Sequence, residues 1–348
     1  MSKTFLTIRA AAFALISSLA LNATARAEGP LPVEVPKDVK IVLADDANNV
    51  ANLLKLSGEG ARLASDVSFA NFSSGPLRLE AIRAGAAQVG AVGDVPPILA
   101  QFSGADVVIV GAVITSGAST IFVTAPDSGI ESHAGLKGKK VGINVGTSQQ
   151  ATALRNLRAA GLAIADIEPV NLGLAEFADA LRAGQIDAAV LKQPDRARYL
   201  ASVAGTGARE IPDAPGASSN LKYLYASKTA LADPAQAAAI RDLVVHWYRA
   251  HLWKNHNKDL WIAEYLVKDQ RLSEEDAKVV ADSDGSATRI PAWSEVLVTQ
   301  QDTIDLLQSA GQFQGKTLKA ADEFDPRFDG LNDKSPAVND EKAASVVQ

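Results

Sequence analysis

Short apolar runs rich in β-branched residues alternate along the chain with longer stretches in which apolar residues recur every three or four positions. Side chains repeat every two residues in a strand and every 3.6 residues in a helix, so the short runs predict strands and the longer stretches predict amphipathic helices. Strands are predicted over residues 39–43, 67–72, 88–92, 107–110, 120–124, 140–143, 167–171, 187–191 and 221–225. Helices are predicted over 50–64, 77–84, 149–160 and 175–183, and then in a largely helical part over 234–254, 273–281 and 293–310. This alternation predicts an α/β fold with mainly parallel sheets.

One segment of this pattern occurs twice. Residues 81–92 match residues 180–191 at a constant offset of 99 positions, with AIRAG in the first copy and ALRAG in the second. Each copy predicts a helix, a glycine suited to end it in left-handed backbone, and a buried strand. The match is either a coincidence in an Ala-rich chain or a βαβ module present in both halves. In the second interpretation, Gly93-Asp94 and Lys192-Gln193 follow equivalent strands, and both strand ends face one ligand cleft.

The first 27 residues have the three parts of a secretory signal peptide. Lys3 and Arg9 precede an apolar run over residues 10–21, and Ala25-Arg26-Ala27 forms an A-x-A cleavage site. The apolar run is shorter than the roughly 20 residues that a membrane-spanning helix needs. We therefore predict cleavage after Ala27 and a soluble mature protein in the periplasm.

Composition narrows the possible functions. The chain of 348 residues is long enough for two domains, and its 40 acidic against 34 basic residues disfavour nucleic acids and anionic membranes as partners. It has no cysteine, which excludes disulfides, Cys-ligated zinc, iron–sulfur clusters and thiolate catalysis. The local signatures of nucleotide binding, nucleophile-elbow hydrolysis and zinc proteolysis are absent as well.

Three of the four histidines, His246, His251 and His256, recur every five residues in a predicted helix. This spacing separates successive side chains by about 140° around the axis, so the three cannot share one face. We expect an ordinary packed helix there, with no metal site and no cofactor.

Two strand-to-helix junctions carry small polar residues. Ser74-Gly75 precedes a proline at a predicted first helical position, and Thr147-Ser148-Gln149 opens the next such helix. Free N–H groups and the positive end of the helix dipole suit a small anion. Simple N-capping by Ser74 and Ser148 is the alternative interpretation.

Two charged residues stand at predicted strand ends. Asp94 is expected either to cap the helix that begins near Pro96 or to hold a cationic group of a ligand. Lys192 ends an apolar strand, where a lysine reaches either solvent or an anion. The sequence leaves both choices open.

Five segments together carry a family resemblance: Ser74-Gly75-Pro76, Gly93-Asp94-Val95-Pro96-Pro97, LKGKKV at residues 136–141, Gly146-Thr147-Ser148 and AGQIDA at 183–188. In these segments the chain resembles the periplasmic solute-binding proteins of ABC importers for aliphatic sulfonates, within the wider nitrate, sulfonate and taurine group. The resemblance runs from about residue 40 to residue 194. The G-D-x-P-P segment is fairly specific to the sulfonate branch, whereas LKGKKV is common across many binding proteins.

The resemblance implies a type II periplasmic binding-protein fold, with two α/β lobes that close on a sulfonate held by hydroxyls and backbone amides. It implies lobe I over residues 37–114 and 222–330, lobe II over 115–221, a monomer, and an inner-membrane ABC permease as partner. Carried over position by position, it points to Asn48, Asn49, Ser74, Gly75, Gly93, Asp94, Thr115, Ser116, Thr147, Ser148 and Gln149 as ligand-binding residues. The polar composition at the end of the chain separately predicts a polar tail over 331–348, loose after Asp333.

Departures from the family pattern leave the substrate open. Sulfonate binders tend to have an aromatic residue before an acidic residue and proline, whereas this chain has Lys192-Gln193-Pro194, and Gln149-Gln150 replaces a more usual His or Asn region. The alternative substrates are taurine, nitrate, a carboxylate or aromatic anion, or a larger or more highly charged anion. Aromatic sulfinate desulfinases look similar, but they use a cysteine nucleophile that this chain lacks. We therefore expect a binding protein and not an enzyme.

Overall fold

The apolar runs assemble into two sheets in the computed structural model, which describes residues 29–117 and 120–337. The first part contains β1 (Lys40–Asp45), α1 (Asn49–Leu56), β2 (Asp66–Asn71), α2 (Gly75–Arg83), β3 (Val89–Val92), α3 (Val95–Ser103) and β4 (Val107–Thr115). The middle part contains β5 (Thr120–Thr124), β6 (Lys140–Ile143), α4 (Ser148–Ala159), β7 (Glu168–Asn171), α5 (Phe177–Arg182), β8 (Ala188–Lys192), α6 (Asp195–Ser202) and β9 (Glu210–Ile211).

The C-terminal part returns to the first sheet and then becomes helical. It contains β10 (Leu221–Ser227), α7 (Lys228–Ala232), α8 (Pro234–His256), α9 (Lys258–Trp261), a π-helix over Ile262–Asp269, α10 (Glu274–Ser283), β11 (Thr288–Arg289) and α11 (Trp293–Ser309). No helix among the described residues is long and apolar enough to span a bilayer. The predicted signal peptide lies outside the described residues.

The two sheets are mixed, so the prediction of mainly parallel sheets is wrong. The first sheet has the order β11-β4-β10-β3-β1-β2, and the second has the order β7-β6-β8-β5-β9. Strand β10 enters the first sheet antiparallel to both β3 and β4, and β5 pairs antiparallel with both β8 and β9. Strand β5 follows the crossing from β4 to the second sheet, and β10 follows the crossing from β9 back to the first sheet. Each of these strands runs antiparallel to its neighbours and not parallel as in a βαβ unit.

All nine predicted strands are confirmed, the strands over 120–124 and 140–143 with the predicted ends and the other seven with shifted ends. Strand β4 extends to Thr115, and the two-residue strands β9 and β11 have no signal of their own in the sequence. The predicted helix over 50–64 is shorter, because Gly58 adopts left-handed backbone (φ 77°) after α1 and a separate helical turn follows at Glu59–Arg62. Helix α6 was not predicted.

The internal repeat has equivalent places in the two sheets. Each copy ends a helix at a glycine in left-handed backbone, Gly85 (φ 72°) and Gly184 (φ 64°), and continues into β3 or β8. Strand β3 lies parallel to β1, and β8 lies parallel to β6. The carboxyl ends of β3 and β8 therefore occupy corresponding positions, as the interpretation as a repeat requires.

Each sheet has its own apolar core, but the C-terminal helices do not all pack on the first sheet. Ile304, Leu307 and Phe313 are buried in the same cluster as Phe122 and Val141 of the second sheet. The division into lobes stays a prediction at this end of the chain, since α11 bridges the two cores.

The start of the polar tail is held in place. Arg249 donates hydrogen bonds to the carbonyl oxygens of Asp333 (2.8 Å) and Ser335 (3.0 Å), and Arg241 donates to that of Pro336 (2.9 Å). The expectation of a loose tail after Asp333 is therefore wrong as far as residue 337. The remainder of the predicted tail lies outside the described residues.

Candidate functional site

A cavity of about 520 Å³ opens between the two sheets. The carboxyl ends of three strands line it: Asp45 and Asp46 from β1, Gly93 beyond β3, and Lys192 from β8. The structure thus brings the two repeat-related strand ends to one cleft, where ligands bind in open α/β sheets.

Nine of the twelve predicted ligand-binding residues line this cavity, namely Asn49, Ser74, Gly75, Gly93, Thr115, Thr147, Ser148, Gln149 and Lys192. The other three are not among its lining residues. Asn48 adopts left-handed backbone (φ 55°) and its side chain bonds to that of Asn71. The hydroxyl of Ser116 accepts a hydrogen bond from the Ala287 N–H (3.0 Å).

Asp94 is the third of these residues, and neither predicted role matches its position. Its side chain is fully buried, makes no capping hydrogen bond to α3, and pairs with Arg155 of α4 at 3.1 Å. Arg155 also bonds to Thr303 of α11, and Gln300 donates to the backbone oxygen of Asp94 (2.8 Å). Asp94 therefore ties the end of β3 to α4 and α11. Capping failed as a prediction because a buried cation from another element competes for the carboxylate.

The N-termini of α2 and α4 approach the cavity from different sheets. Ser74 precedes α2 and Ser148 is the first residue of α4, and neither hydroxyl forms a capping hydrogen bond. The Thr147 hydroxyl donates to the Asn144 carbonyl oxygen (2.7 Å). The capping interpretation of Ser74 and Ser148 is therefore wrong, and both hydroxyls are available to a ligand together with the free N–H groups of the first turns.

Gly93, which follows β3 of the first sheet, lies against Ser148 of α4 beside the second sheet. A Cβ atom placed on Gly93 would lie 2.1 Å from Ser148 Oγ, which is far inside van der Waals contact. Only glycine at position 93 leaves room for this hydroxyl. The Ser148 hydroxyl of α4 therefore occupies the space that a side chain at position 93 would fill.

An ion pair crosses the cavity. The Lys192 ammonium pairs with the Asp46 carboxylate, and Arg78 Nη1 lies 3.9 Å from the same carboxylate while donating to the Phe72 carbonyl oxygen (2.6 Å). Burial opposes ionisation of Asp46, but the charges of Lys192 and Arg78 outweigh it and hold its pKa below the usual value. The three groups carry a net charge of one positive unit. Lys192 therefore faces the cleft, with a carboxylate partner that the sequence did not suggest.

Asp45 acts on the backbone and not on the cavity contents. Its carboxylate accepts hydrogen bonds from the N–H groups of Asp46 (2.7 Å), Val50 (3.1 Å) and Ala51 (3.0 Å). Burial raises its pKa despite these bonds. The carboxylate fixes the turn between β1 and α1, which places Asn49 at the cavity wall.

Arg78 is a functional candidate that the sequence analysis missed. It lies in the first turns of α2, 7% exposed, and its Nε has no hydrogen-bond partner among the described residues. An arginine in an amphipathic helix is ordinarily a surface residue, so the pattern gave no reason to select it. The sequence nevertheless contained one indication of its role: Arg78 follows Ser74 by four residues, which places both on the same helix face.

The inner end of the cavity was also missed. It is lined by Lys222 of β10, by Trp247 and His251 of α8, by Trp261 and Tyr265, and by Asp284. Lys222 stood inside a predicted strand and His251 inside a predicted packed helix. Their convergence depends on β10 entering the first sheet between β3 and β4, which local patterns do not encode. Within the described residues, no group of three or more His, Asp or Glu side chains is placed to hold a metal ion.

Comparisons with known proteins agree with this architecture. The NMT1/THI5-like family matches residues 66–195. The aliphatic sulfonates-binding protein of Escherichia coli (strain K12) is 32% identical over 245 residues, which are 70% of this chain and 74% of the relative.

Solved structures agree on the fold. The periplasmic aliphatic sulphonate binding protein SsuA from Escherichia coli is 27% identical, with a TM-score of 0.67 over 82% of this chain and 91% of SsuA. The alkanesulfonate-binding protein SsuA from Xanthomonas axonopodis pv. citri, solved bound to MOPS, is 23% identical, with a TM-score of 0.70 over 84% of this chain and 99% of that protein. The predicted periplasmic binding-protein fold is therefore confirmed.

Proposed function

This chain belongs to the family of aliphatic sulfonate-binding proteins, and we propose on that basis that it captures an organic sulfonate for uptake by an ABC importer. Its partners are then a small organic anion and an inner-membrane permease. Its location is the periplasm, reached by means of the signal peptide over residues 1–27, and it acts as a monomer.

The observation that supports this proposal is the convergence of two helix N-termini on one cavity. Ser74 and Gly75 begin α2 beside the first sheet, and Ser148 begins α4 beside the second. A sulfonate carries one negative charge over three oxygens, so it accepts hydrogen bonds in several directions at once. Hydroxyls and N–H groups from both sheets can surround such a group, and Arg78 adds a positive charge.

The same arrangement explains how binding would close the protein. Because the two helices belong to different sheets, an anion between them gains its full set of hydrogen bonds only when the sheets are close. The anion therefore favours the closed form by its additional contacts there. A permease can distinguish the closed form from the open one without touching the ligand.

We propose a binding role and not a catalytic one. The relatives are binding proteins, and the sequence offers no cysteine for the thiolate chemistry expected of a desulfinase on this scaffold. The cavity residues offer an anion charged groups and hydrogen-bond donors, and capture of an anion requires no covalent step.

Thermal unfolding of the mature protein in the presence of candidate anions tests this proposal. A ligand that binds only the folded state at 100 times its Kd stabilises it by about 2.7 kcal/mol, which gives a clear rise in Tm. We expect a rise with alkanesulfonates or arylsulfonates, confirmed by calorimetric titration. A rise only with taurine would narrow the ligand to an aminosulfonate, and a rise only with nitrate, sulfate or carboxylates would replace sulfonate by that ligand class. No rise with any of these anions would contradict the proposal.

Export is tested separately by the intact mass of the protein recovered from the periplasm. We expect a chain that begins at Glu28. A mass that includes residues 1–27 would contradict both the predicted cleavage and the periplasmic location.

A further inference from the structure

The inner end of the cavity contains a lysine without a partner. Lys222 lies second in β10, beside Val113 of β4, and its partly buried side chain lines the cavity. Within residues 29–117 and 120–337 its ammonium group forms no hydrogen bond and no ion pair. By contrast, the other cations of the cavity each have a partner: Lys192 pairs with Asp46, Arg78 with a backbone oxygen, and Arg198 with Asp195.

The nearest acidic group does not neutralise this lysine. Asp284 also lines the inner end, but it forms an ion pair with Lys254 at 2.8 Å. Burial lowers the pKa of Lys222, the charges of Lys254 and Lys192 reinforce that effect, and the charges of Asp284 and Asp46 oppose it. The inner end thus has two ammonium groups for one carboxylate, which leaves an excess positive charge in a poorly hydrated place.

Two ring nitrogens beside Lys222 also have no partner. Trp247 Nε1 and His251 Nδ1 belong to side chains that are 1% and 4% exposed, and neither atom is hydrogen-bonded within the described part of the chain. Burial together with the neighbouring Lys222 and Lys254 lowers the pKa of His251 well below its usual value, so this imidazole is neutral. Buried polar atoms are ordinarily hydrogen-bonded, and these two ring nitrogens, together with the unpaired ammonium of Lys222, indicate a polar group of a ligand.

Two aromatic rings form part of the cavity wall. Trp261 and Tyr265 contact each other with ring centroids 4.3 Å apart, and both line the cavity. Lys254 Nζ lies 4.9 Å from the centroid of the Trp261 ring. Flat apolar walls suit the organic body of a ligand, and a cavity of about 520 Å³ exceeds the need of a short alkanesulfonate.

We propose that the ligand is a two-headed organic anion, with a sulfonate at the Ser74, Arg78 and Ser148 end and a second acidic group, carboxylate or sulfonate, at Lys222. An apolar body, aromatic or aliphatic, joins the two and lies against Trp261 and Tyr265. This inference rests on the proposed function, because it takes the sulfonate end from there. It adds a second recognition point that selects among sulfonates.

Binding of matched one-headed and two-headed sulfonates tests the proposal. Calorimetric titration would compare benzenesulfonate with 3-sulfobenzoate, 4-sulfobenzoate and benzene-1,3-disulfonate, which differ in the presence and position of the second acidic group. We expect at least one two-headed compound to bind tenfold or more tightly than benzenesulfonate. Equal affinities for all four compounds would overturn the inference and leave the proposed function intact. Failure of every sulfonate to bind would overturn both.

Variants of Lys222 assign the effect to this residue. Lys222→Gln should weaken the best two-headed compound at least tenfold more than it weakens benzenesulfonate, whereas Lys222→Arg should keep the preference. Lys137→Gln, an exposed lysine of the second sheet's surface, is the matched control and should change neither affinity. Urea unfolding of each variant shows whether it is folded. If folded Lys222→Gln weakened both compounds by the same factor, the second acidic group would not lie at Lys222.

Discussion

Glu323 provides a quantitative test of the buried network that links the end of β3 to α11. Its side chain is 3% exposed, and one carboxyl oxygen accepts a hydrogen bond from Gln300 Nε2 (2.6 Å) while the other has no partner among the described residues. Gln300 also contacts the backbone oxygen of Asp94 and the hydroxyl of Tyr223. Burial raises the pKa of Glu323 to about 8, and the negative charge of Asp94 adds to this effect.

The sign and size of the pH effect follow from proton binding. The unfolded chain loses this proton near pH 4.5 and the folded protein near pH 8, so the folded state holds one more proton between these values. The contribution of Glu323 to stability is therefore complete below pH 4.5 and is lost as the pH rises through 8. The expected slope is about 1.4 kcal/mol per pH unit, or about 3 kcal/mol between pH 5 and pH 7.

Glu323→Gln removes the titration and keeps a side chain of similar shape. Urea unfolding of wild type and variant at pH 5, 6 and 7 gives the difference in their free energies of unfolding, in which the effects of all other titrating groups cancel. As the pH rises, we expect the free energy of unfolding of the variant to increase relative to that of the wild type by about 1.4 kcal/mol per pH unit. Glu168→Gln, an exposed position on β7, is the control for generic charge effects. Parallel stability curves for wild type and Glu323→Gln would refute the assignment of a neutral buried acid.

Three further variants test the cavity. Lys192→Gln should weaken the sulfonate identified by the thermal screen more than tenfold, about 1.4 kcal/mol, because it leaves Asp46 to repel the anion; unchanged affinity in a titration would remove Lys192 from the site. Ser148→Ala should weaken it tenfold to a hundredfold, as expected for a lost hydrogen bond to a charged group, with little change in urea unfolding. The control Ser132→Ala, at an exposed position, should change neither the affinity nor the free energy of unfolding. Gly93→Ala should reduce affinity about as much as Ser148→Ala, because its methyl group displaces the Ser148 hydroxyl, and the double variant should lose little more. Additive losses would show that Gly93 acts by another route.

The sequence predicted most of the fold because each strand and helix carries its own periodicity. The order of strands in each sheet was not predictable in the same way. Strand β10 has the pattern of any buried strand, yet it pairs with β3 and β4, which lie more than 100 residues earlier. Long-range pairing depends on how both halves pack, and a local pattern does not record it.

The same limit explains which site residues were found. Ser74, Gly93, Ser148 and Lys192 stand at strand ends or helix starts, where the α/β architecture itself indicates a ligand. Arg78 and Lys222 stand inside regular elements, where a charged residue ordinarily means a solvated face. Their role became visible only when burial and missing partners could be observed.

The Asp46–Lys192 ion pair also determines what kind of anion the cavity can retain. An anion that enters does not neutralise a bare cation but exchanges one ionic partner of Lys192 for another, so the gain in Coulomb energy is only the difference between the two pairs. Net affinity then depends on contacts that a carboxylate side chain cannot replace, namely several simultaneous hydrogen bonds and the burial of an organic body. Chloride and nitrate have no such body to bury. The Asp46 carboxylate therefore competes with every entering anion for Lys192. Inorganic ions such as chloride and nitrate gain too little binding free energy to displace it.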